Sequence, residues 1–485
     1  MTPPSRPSSP PVWDKTADDM ADGDDRTVVA SGPASLRCTP APSCRQSIDS
    51  DLDRHVQDIE KALPIHTIPS LRLNTPKSPK KENITNLSSF PKSSHNDNHH
   101  PASPKQPSTP CPPLPLRPRL AHFTWAWYTL SMSTGGLALL IAAQPHTFPG
   151  LRQIGTVIYA FNCLLFLCIT FALIARFTLH KGTFLASIRH PREGWFAPTF
   201  FLALATVVTG TYRFCVVDPA QQMGLVRVLR GVFWAYVAVT TALAVGQYTF
   251  VFSDRRRFGL ETMMPTWILP VFPVMLSGTM ATVVGTPVPS QTVDTQAVAI
   301  AAAGLTCQGL GAAVALMMYA HMVGRLMQAG LPHREHRTGL FMCVGPPSFT
   351  ALAFVGLAKA VPATLDSDMD GFADAVVLKT MGMVGAGFLW ALSFWWFGIA
   401  ALAVAKNPPK DFHLGWWAAV FPNTGFTLAT IALGEAFRNE AILWFSTVMS
   451  VALLTTYLFV LYHHVRAVIV QDIMYPGRDE DVEDH

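Results

Sequence analysis

Trp416-Trp417-Ala418-Ala419-Val420-Phe421-Pro422-Asn423-Thr424 places a proline just inside an apolar run that continues to Gly434. The same construction recurs at Trp195-Phe196-Ala197-Pro198-Thr199, Leu269-Pro270-Val271-Phe272-Pro273 and Val344-Gly345-Pro346-Pro347-Ser348-Phe349. A further copy, Phe123-Thr124-Trp125-Ala126-Trp127 followed by Ser131-Met132-Ser133-Thr134-Gly135-Gly136, has hydroxyls and paired glycines in place of proline. Proline removes a backbone hydrogen bond and clashes with the preceding turn, so helix interiors normally exclude it. At membrane depth, unpaired backbone is tolerated only against protein or a wet cavity. Breaks repeated at similar spacing therefore predict repeats that enclose a shared path.

Outward from these phrases, apolar runs long enough to cross a bilayer recur with few charges. Ten spans are expected, at about 122–143, 154–179, 195–214, 225–252, 264–286, 297–328, 339–360, 378–405, 412–435 and 440–470. The spans make residues 117–472 a single transmembrane domain, with a short acidic tail at 473–485. Residues 1–116 are different in kind. Of the 39 prolines in the chain, 21 lie before residue 119, among abundant Ser, Thr, Asp, Lys and Asn. That composition cannot bury enough apolar surface to offset ordering, so a disordered tail is expected. Acidic pairs such as Asp18-Asp19 and the lack of an early apolar core argue against a signal peptide.

Basic residues set the expected orientation. The N-terminal flank and even-numbered connections carry fourteen of them, including Arg117, Arg119, Arg255, Arg256 and Arg257, against seven in the odd-numbered connections. Both termini are thus expected in the cytoplasm. The spans carrying breaks then all run outward, and the proline-free spans return. The architecture this predicts is all-α: five helical hairpins in quasi-fivefold arrangement, broken helices innermost, regular ones against lipid.

Hydroxyl and glycine residues follow each break. Ser133, Thr134, Gly135, Ser277, Ser348, Thr424 and Gly425 are candidates to line the path, since amides freed at a break and nearby hydroxyls can bind an anion without a fixed charge. The plainer reading is that small residues let membrane helices pack closely. Phe421, beside Pro422, shares a helical face with Thr424 and Gly425 and is a candidate plug. Phe272, before Pro273, is its rival, and either could simply be packed between helices. Arg213, Lys359 and Glu435 lie fifteen, twelve and thirteen residues beyond their breaks. That is on the order of 20 Å, which suits an outer vestibule of mixed sign or snorkelling into the headgroups. His321, Arg325 and Lys379 suit interfacial anchors. The tail dipeptides Ser9-Pro10, Thr75-Pro76, Ser78-Pro79, Ser103-Pro104 and Thr109-Pro110 suit proline-directed phosphorylation.

No HExxH, P-loop or GxSxG phrase occurs, and the cysteines form no CxxC pair. Neither catalysis, a cofactor, a metal nor a nucleic-acid partner is expected.

Several phrases together resemble one known family. They are His122-Phe-Thr-Trp-Ala-Trp127 with Thr134-Gly-Gly136, Pro265-Thr-Trp-Ile-Leu-Pro270 with Phe272-Pro273, Gly339-Leu-Phe-Met342 with Val344-Gly-Pro-Pro347, and Gly415-Trp-Trp with Phe421-Pro-Asn423. In this order they resemble the fungal malic acid transporters of the tellurite-resistance/dicarboxylate transporter family, which also holds slow anion channels and sulfite pumps. Tyr475-Pro-Gly-Arg-Asp-Glu-Asp481 is similar to their C-terminal segment. The resemblance covers residues 117–482. It implies ten helices around a pore, commonly in a homotrimer, with Phe421 rather than Phe272 as the occluding ring. It also implies transport of malate and related C4 dicarboxylates with protons, at the plasma membrane. Glu435 departs from an anion path, and pairing with Lys359 or Arg213, or a part in proton coupling, would account for it. Sulfite efflux or a small-anion channel is the alternative within transport. A membrane scaffold or sensor with a regulated tail is the alternative outside it.

Overall fold

A computed structural model describes residues 114–253, 259–288, 294–360 and 375–476. The Ser/Pro-rich segment before Leu114, the Arg255–Arg257 cluster, part of the fifth connection and the acidic C-terminal end lie outside the described residues. Among the described residues the secondary structure is entirely helical. Ten helices dominate: α1 (Tyr128–Ala142), α2 (Leu151–Leu179), α3 (Thr199–Cys215), α4 (Met223–Ser253), α5 (Phe272–Val284), α6 (Thr295–Ala329), α7 (Gly345–Ala360), α8 (Ala375–Lys406), α9 (Phe421–Phe437) and α10 (Glu440–Val470).

The odd-numbered helices are the short ones, and each follows a 3-10 segment. These lead-ins are Trp125–Trp127, Glu193–Phe196, Pro265–Ile268, Arg334–Val344 and Leu414–Ala419. Each odd-numbered α-helix therefore begins several residues later than its apolar run. The prolines explain the junctions. Pro198 caps α3, while Pro273 and Pro422 sit in the first turns of α5 and α9. There the missing N–H would have had no partner inside the helix anyway. The 3-10 turns also take up amides around each junction: Val420 N–H donates to Trp417 O at 3.0 Å and Phe272 N–H to Leu269 O at 3.3 Å. An outer helix repairs one lost bond directly. Pro347 cannot donate to the Cys343 carbonyl, and Tyr319 Oη of α6 donates to it instead at 2.8 Å.

Among the described residues, seven helical segments are long and apolar enough to cross a membrane, one of them being α7 with its 3-10 lead-in. The core windows of α2, α4, α6, α8 and α10 are only 17–33% buried, against 61% and 83% for Glu193–Cys215 and Arg334–Ala360. The exposed surface of these outer helices is greasy, with Phe171, Met317, Phe388, Leu402 and Ile469 all more than half exposed. Such a surface suits lipid, not water.

The odd-numbered helices pack side by side in the order α1, α3, α5, α7, α9 and back to α1, and the even-numbered helices lie outside that ring. Small residues allow the close approach. A Cβ on Gly304 of α6 would lie 2.3 Å from Ala281 Cβ of α5. The two ends of the described chain meet on one side of the bundle, where Arg119 Nη2 donates to Val468 O at 2.8 Å and Leu114 N–H to Gln471 Oε1 at 3.1 Å.

Two buried ion pairs pin opposite ends. At the terminal end Arg176 of α2 holds Glu193 and the Phe123 carbonyl. At the far end Arg230 of α4 donates to both Asp294 oxygens, at 3.0 and 2.7 Å. Arg325, near the end of α6, is buried and donates to the Glu261 and Gly330 carbonyls at 3.3 and 3.0 Å.

Candidate functional site

All five inner helices contribute to one cavity of about 750 Å³. It opens at the end away from the chain termini, where Arg213, Lys359 and Glu435 stand at the helix C-termini, and it narrows inward to Leu276, Phe349 and Phe421. Its walls alternate aliphatic side chains with threonines: Thr206 and Thr209 of α3, Thr279 and Thr282 of α5, and Thr424 of α9.

Aromatic rings cluster at the inner end of the lining. Phe349 and Phe421 stack with centroids 5.2 Å apart, and Phe272 packs on both, at 5.8 and 6.2 Å. All three rings are buried. Each lies over a glycine of the next inner helix around the ring. A Cβ on Gly345 would meet Phe272 Cζ at 2.6 Å, one on Gly425 would meet Phe349 Cε2 at 2.6 Å, and one on Gly136 would meet Phe421 Cδ2 at 3.3 Å. Position before the proline explains the interlock. Phe272 and Phe421 occupy it in α5 and α9, whereas α7 has Gly345 there and its phenylalanine one turn later. Phe349 was missed in the sequence because it breaks the Phe-Pro register. The signal that could have found it was the glycine in the aromatic's place.

The structure places the other sequence-nominated residues as follows. Thr424 lies on the cavity wall beside Gly136, and Gly425 seats Phe349. Thr134 is buried between α1 and α10, donating to Leu130 O at 2.8 Å and bonded to Tyr457 Oη at 2.9 Å. Gly135 faces α2 and α3, where a Cβ would lie 2.2 Å from Thr206 Oγ1 and 2.6 Å from Asn162 Nδ2. Ser277 donates to the Val274 carbonyl, and Ser348 to Val344 O at 2.6 Å. The Thr424 hydroxyl likewise donates to Val420 O at 3.1 Å. Helical Ser and Thr commonly bond back this way, so these protons are engaged within the helix. Ser133 differs: its hydroxyl is buried and makes no hydrogen bond among the described residues. It shares the face of Gly136, one turn toward the terminal end.

At the mouth, Lys359 Nζ donates to Glu435 Oε2 at 2.7 Å, with the two side chains 52% and 47% exposed. Among the described residues no carboxylate pairs with Arg213, which is exposed on the same rim. Among the described residues at this end of the cavity, Lys359 is thus paired with a carboxylate and Arg213 is not.

Residues 122–465 match the SLAC1 family, described as voltage-dependent anion channel. A malic acid transport protein of Schizosaccharomyces pombe is 32% identical over 370 residues, covering 76% of this chain and 83% of that protein. A putative malic acid transport protein of the same organism is 30% identical over 373 residues, covering 75% and 84%. A sulfite efflux pump of Trichophyton rubrum is 28% identical over 328 residues, covering 66% and 84%.

Proposed function

This chain belongs to the SLAC1 voltage-dependent anion channel family and is an integral membrane protein, and on that premise we propose that it transports malate and related C4 dicarboxylates, coupled to protons. The path runs through the centre of a quasi-fivefold bundle of ten membrane-crossing helices. Phe421 blocks it, with Phe349 and Phe272 packed against it as a single plug. One observation carries this reading: a single cavity is built by all five inner helices and ends on buried aromatic rings. The malic acid transport proteins among the relatives support malate as the substrate.

In this reading the anion is gathered at the mouth by Arg213 and passes threonine-lined walls. Beyond the plug it meets the unpartnered Ser133 hydroxyl. Thr424 and Gly136 form the collar around the plug, and Gly425 lets Phe349 lie flat against α9. Thr134, Gly135, Ser277 and Ser348 serve the packing of that collar. The Ser133 hydroxyl, without a partner among the described residues, suits transport, since a neutral donor stabilises an anion without binding it too tightly to leave. Glu435 acts by tempering Lys359. Both termini face the cytoplasm, as the basic connections require. The protein works in the plasma membrane as a homotrimer, as the resemblance implies, and no catalytic step is involved.

Sulfite efflux is the second reading, supported by the sulfite pumps among the relatives. The deciding experiment is uptake of labelled malate by cells expressing this chain, with sulfite and chloride as competitors. Acid-stimulated malate uptake carries the proposal. Flux of sulfite or chloride without malate moves it to the second reading. No flux of any anion at normal surface abundance favours a scaffold or sensor.

A further inference from the structure

A second cavity, of about 720 Å³, lies on the outside of the bundle between α2 and α4. Its floor is the start of α3, at Gly194, Ala197, Phe200 and Phe201, together with Trp125 and Tyr128 at the start of α1. The cleft therefore reaches two of the inner-helix junctions from the lipid side, at the end of the bundle where the chain termini meet. Gly246 of α4 opens onto it, and a Cβ there would meet nothing within 4 Å.

A short helix, Thr183–Arg189, closes the terminal end of this cleft. Phe184 and Ile188 line it, while 50% of Phe184, 49% of Leu185 and 38% of Ile188 remain exposed. Ser187 is buried and accepts a hydrogen bond from Trp125 Nε1 at 3.1 Å, which ties the helix to the α1 junction. Exposed apolar side chains on a short helix beside membrane spans belong at the boundary of headgroups and acyl chains. The charged residues beside it are mostly cations. Lys181 and Arg189 are exposed at its two ends, and from Arg176 to Phe196 the sole carboxylate is Glu193, already held by Arg176.

We propose that this cleft binds one anionic phospholipid of the adjacent leaflet, its acyl chain along Gly246 and Phe200 and its headgroup between Lys181 and Arg189. Charge complementarity selects the occupant. A zwitterionic lipid would fill the apolar cleft equally well but gain less from the rim, whereas each cation near a net anionic headgroup is expected to improve retention roughly fivefold. Because the floor of the cleft is the α1 and α3 junctions, an occupied cleft braces the inner ring from outside.

The test uses the full chain purified from bilayers of phosphatidylcholine doped with phosphatidylserine, with bound lipid identified by native mass spectrometry. Phosphatidylserine should be enriched over its share of the bilayer. Lys181→Gln and Arg189→Gln should each cut that enrichment about fivefold. Gly246→Phe, which fills the cleft without a backbone clash, should abolish it while thermal unfolding in detergent stays unchanged. Gly246→Leu serves the same purpose should the larger ring disturb folding. Equal retention of both lipids, or enrichment that survives the filled cleft, would overturn the proposal. So would a filled cleft that alters the number of subunits but leaves bound lipid unchanged, since the occupant would then be a second copy of this chain.

Discussion

Gly345 lies so close beneath the ring of Phe272 that a methyl group on it would sit 2.6 Å from Phe272 Cζ. No packed core tolerates that distance, so α7 must present hydrogen where α5 and α9 present phenylalanine. Gly345→Ala should therefore push Phe272 away from Phe421 and loosen the ring cluster proposed as the plug. We expect raised basal flux and a stability loss of about 1–3 kcal/mol, the usual range for overpacking. Unchanged flux together with unchanged stability would mean that the ring relaxes without consequence.

Removing a ring of the proposed plug is the sharper test. Phe421→Ala should raise anion flux severalfold, and Phe349→Ala should act in the same direction because the two rings stack. Each deletes buried aromatic volume, so a loss of about 3–5 kcal/mol in stability is expected alongside. Conductance equal to the parent protein in a folded Phe421→Ala variant would sink its assignment as the gate and leave Phe272 to be tested next.

At the cavity mouth the two cations should differ. Arg213 stands open, whereas Lys359 is already engaged by Glu435. Arg213→Gln should raise KM for malate more than Lys359→Gln does, and Glu435→Gln should lower it by releasing Lys359. High salt should shrink all three effects, since charges are screened within about 10 Å at 0.1 M. Thermal stability should change by no more than about 1 kcal/mol, because an exposed pair contributes little. Equal KM effects at Arg213 and Lys359, indifferent to salt, would remove both from the vestibule.

Asp294 provides a pH readout. Burial acts to raise its pKa, but the Arg230 guanidinium and the Ala297 and Val288 amides outweigh burial and hold the carboxyl below its ordinary range. A lowered folded-state pKa contributes stability above the unfolded value, roughly 4, and that contribution disappears as pH falls through the folded value. Melting temperature should thus fall on acidification below about pH 4, and Asp294→Asn should flatten that part of the profile. The variant should also cost about 3 kcal/mol at neutral pH, because Arg230 would be left buried without its counter-ion. A profile as steep in Asp294→Asn as in the parent would assign the acid sensitivity elsewhere.

Deleting residues before Leu114 should leave transport per surface molecule unchanged, provided that Arg117 and Arg119 remain. Arg119 holds the Val468 carbonyl and so helps close the terminal end of the bundle. Lost activity at normal surface abundance would give the tail a role beyond regulation through its Ser-Pro and Thr-Pro sites.

What the sequence determined by itself was whatever depends on local pattern. Long apolar runs, prolines confined to alternate runs, and the alternation of inner and outer helices were legible because hydropathy and backbone chemistry act over neighbouring residues. The prolines even marked the junctions, although a 3-10 lead-in rather than an interrupted α-helix was the backbone's answer to them. Tertiary structure alone decided the partners. Phe349 packs against Phe421 and Phe272 because Gly425 of α9 clears space for its ring, as Gly345 of α7 does for Phe272. Lys359 meets Glu435 rather than Arg213 doing so, because α7 and α9 are adjacent in the ring. The bonding partners of Thr134, Ser277 and Ser348 were likewise not legible: each hydroxyl donates to a backbone carbonyl one turn earlier in the chain. The direction in which a hydroxyl or a ring points depends on helix rotation and on what packs opposite, and neither is encoded in a single segment.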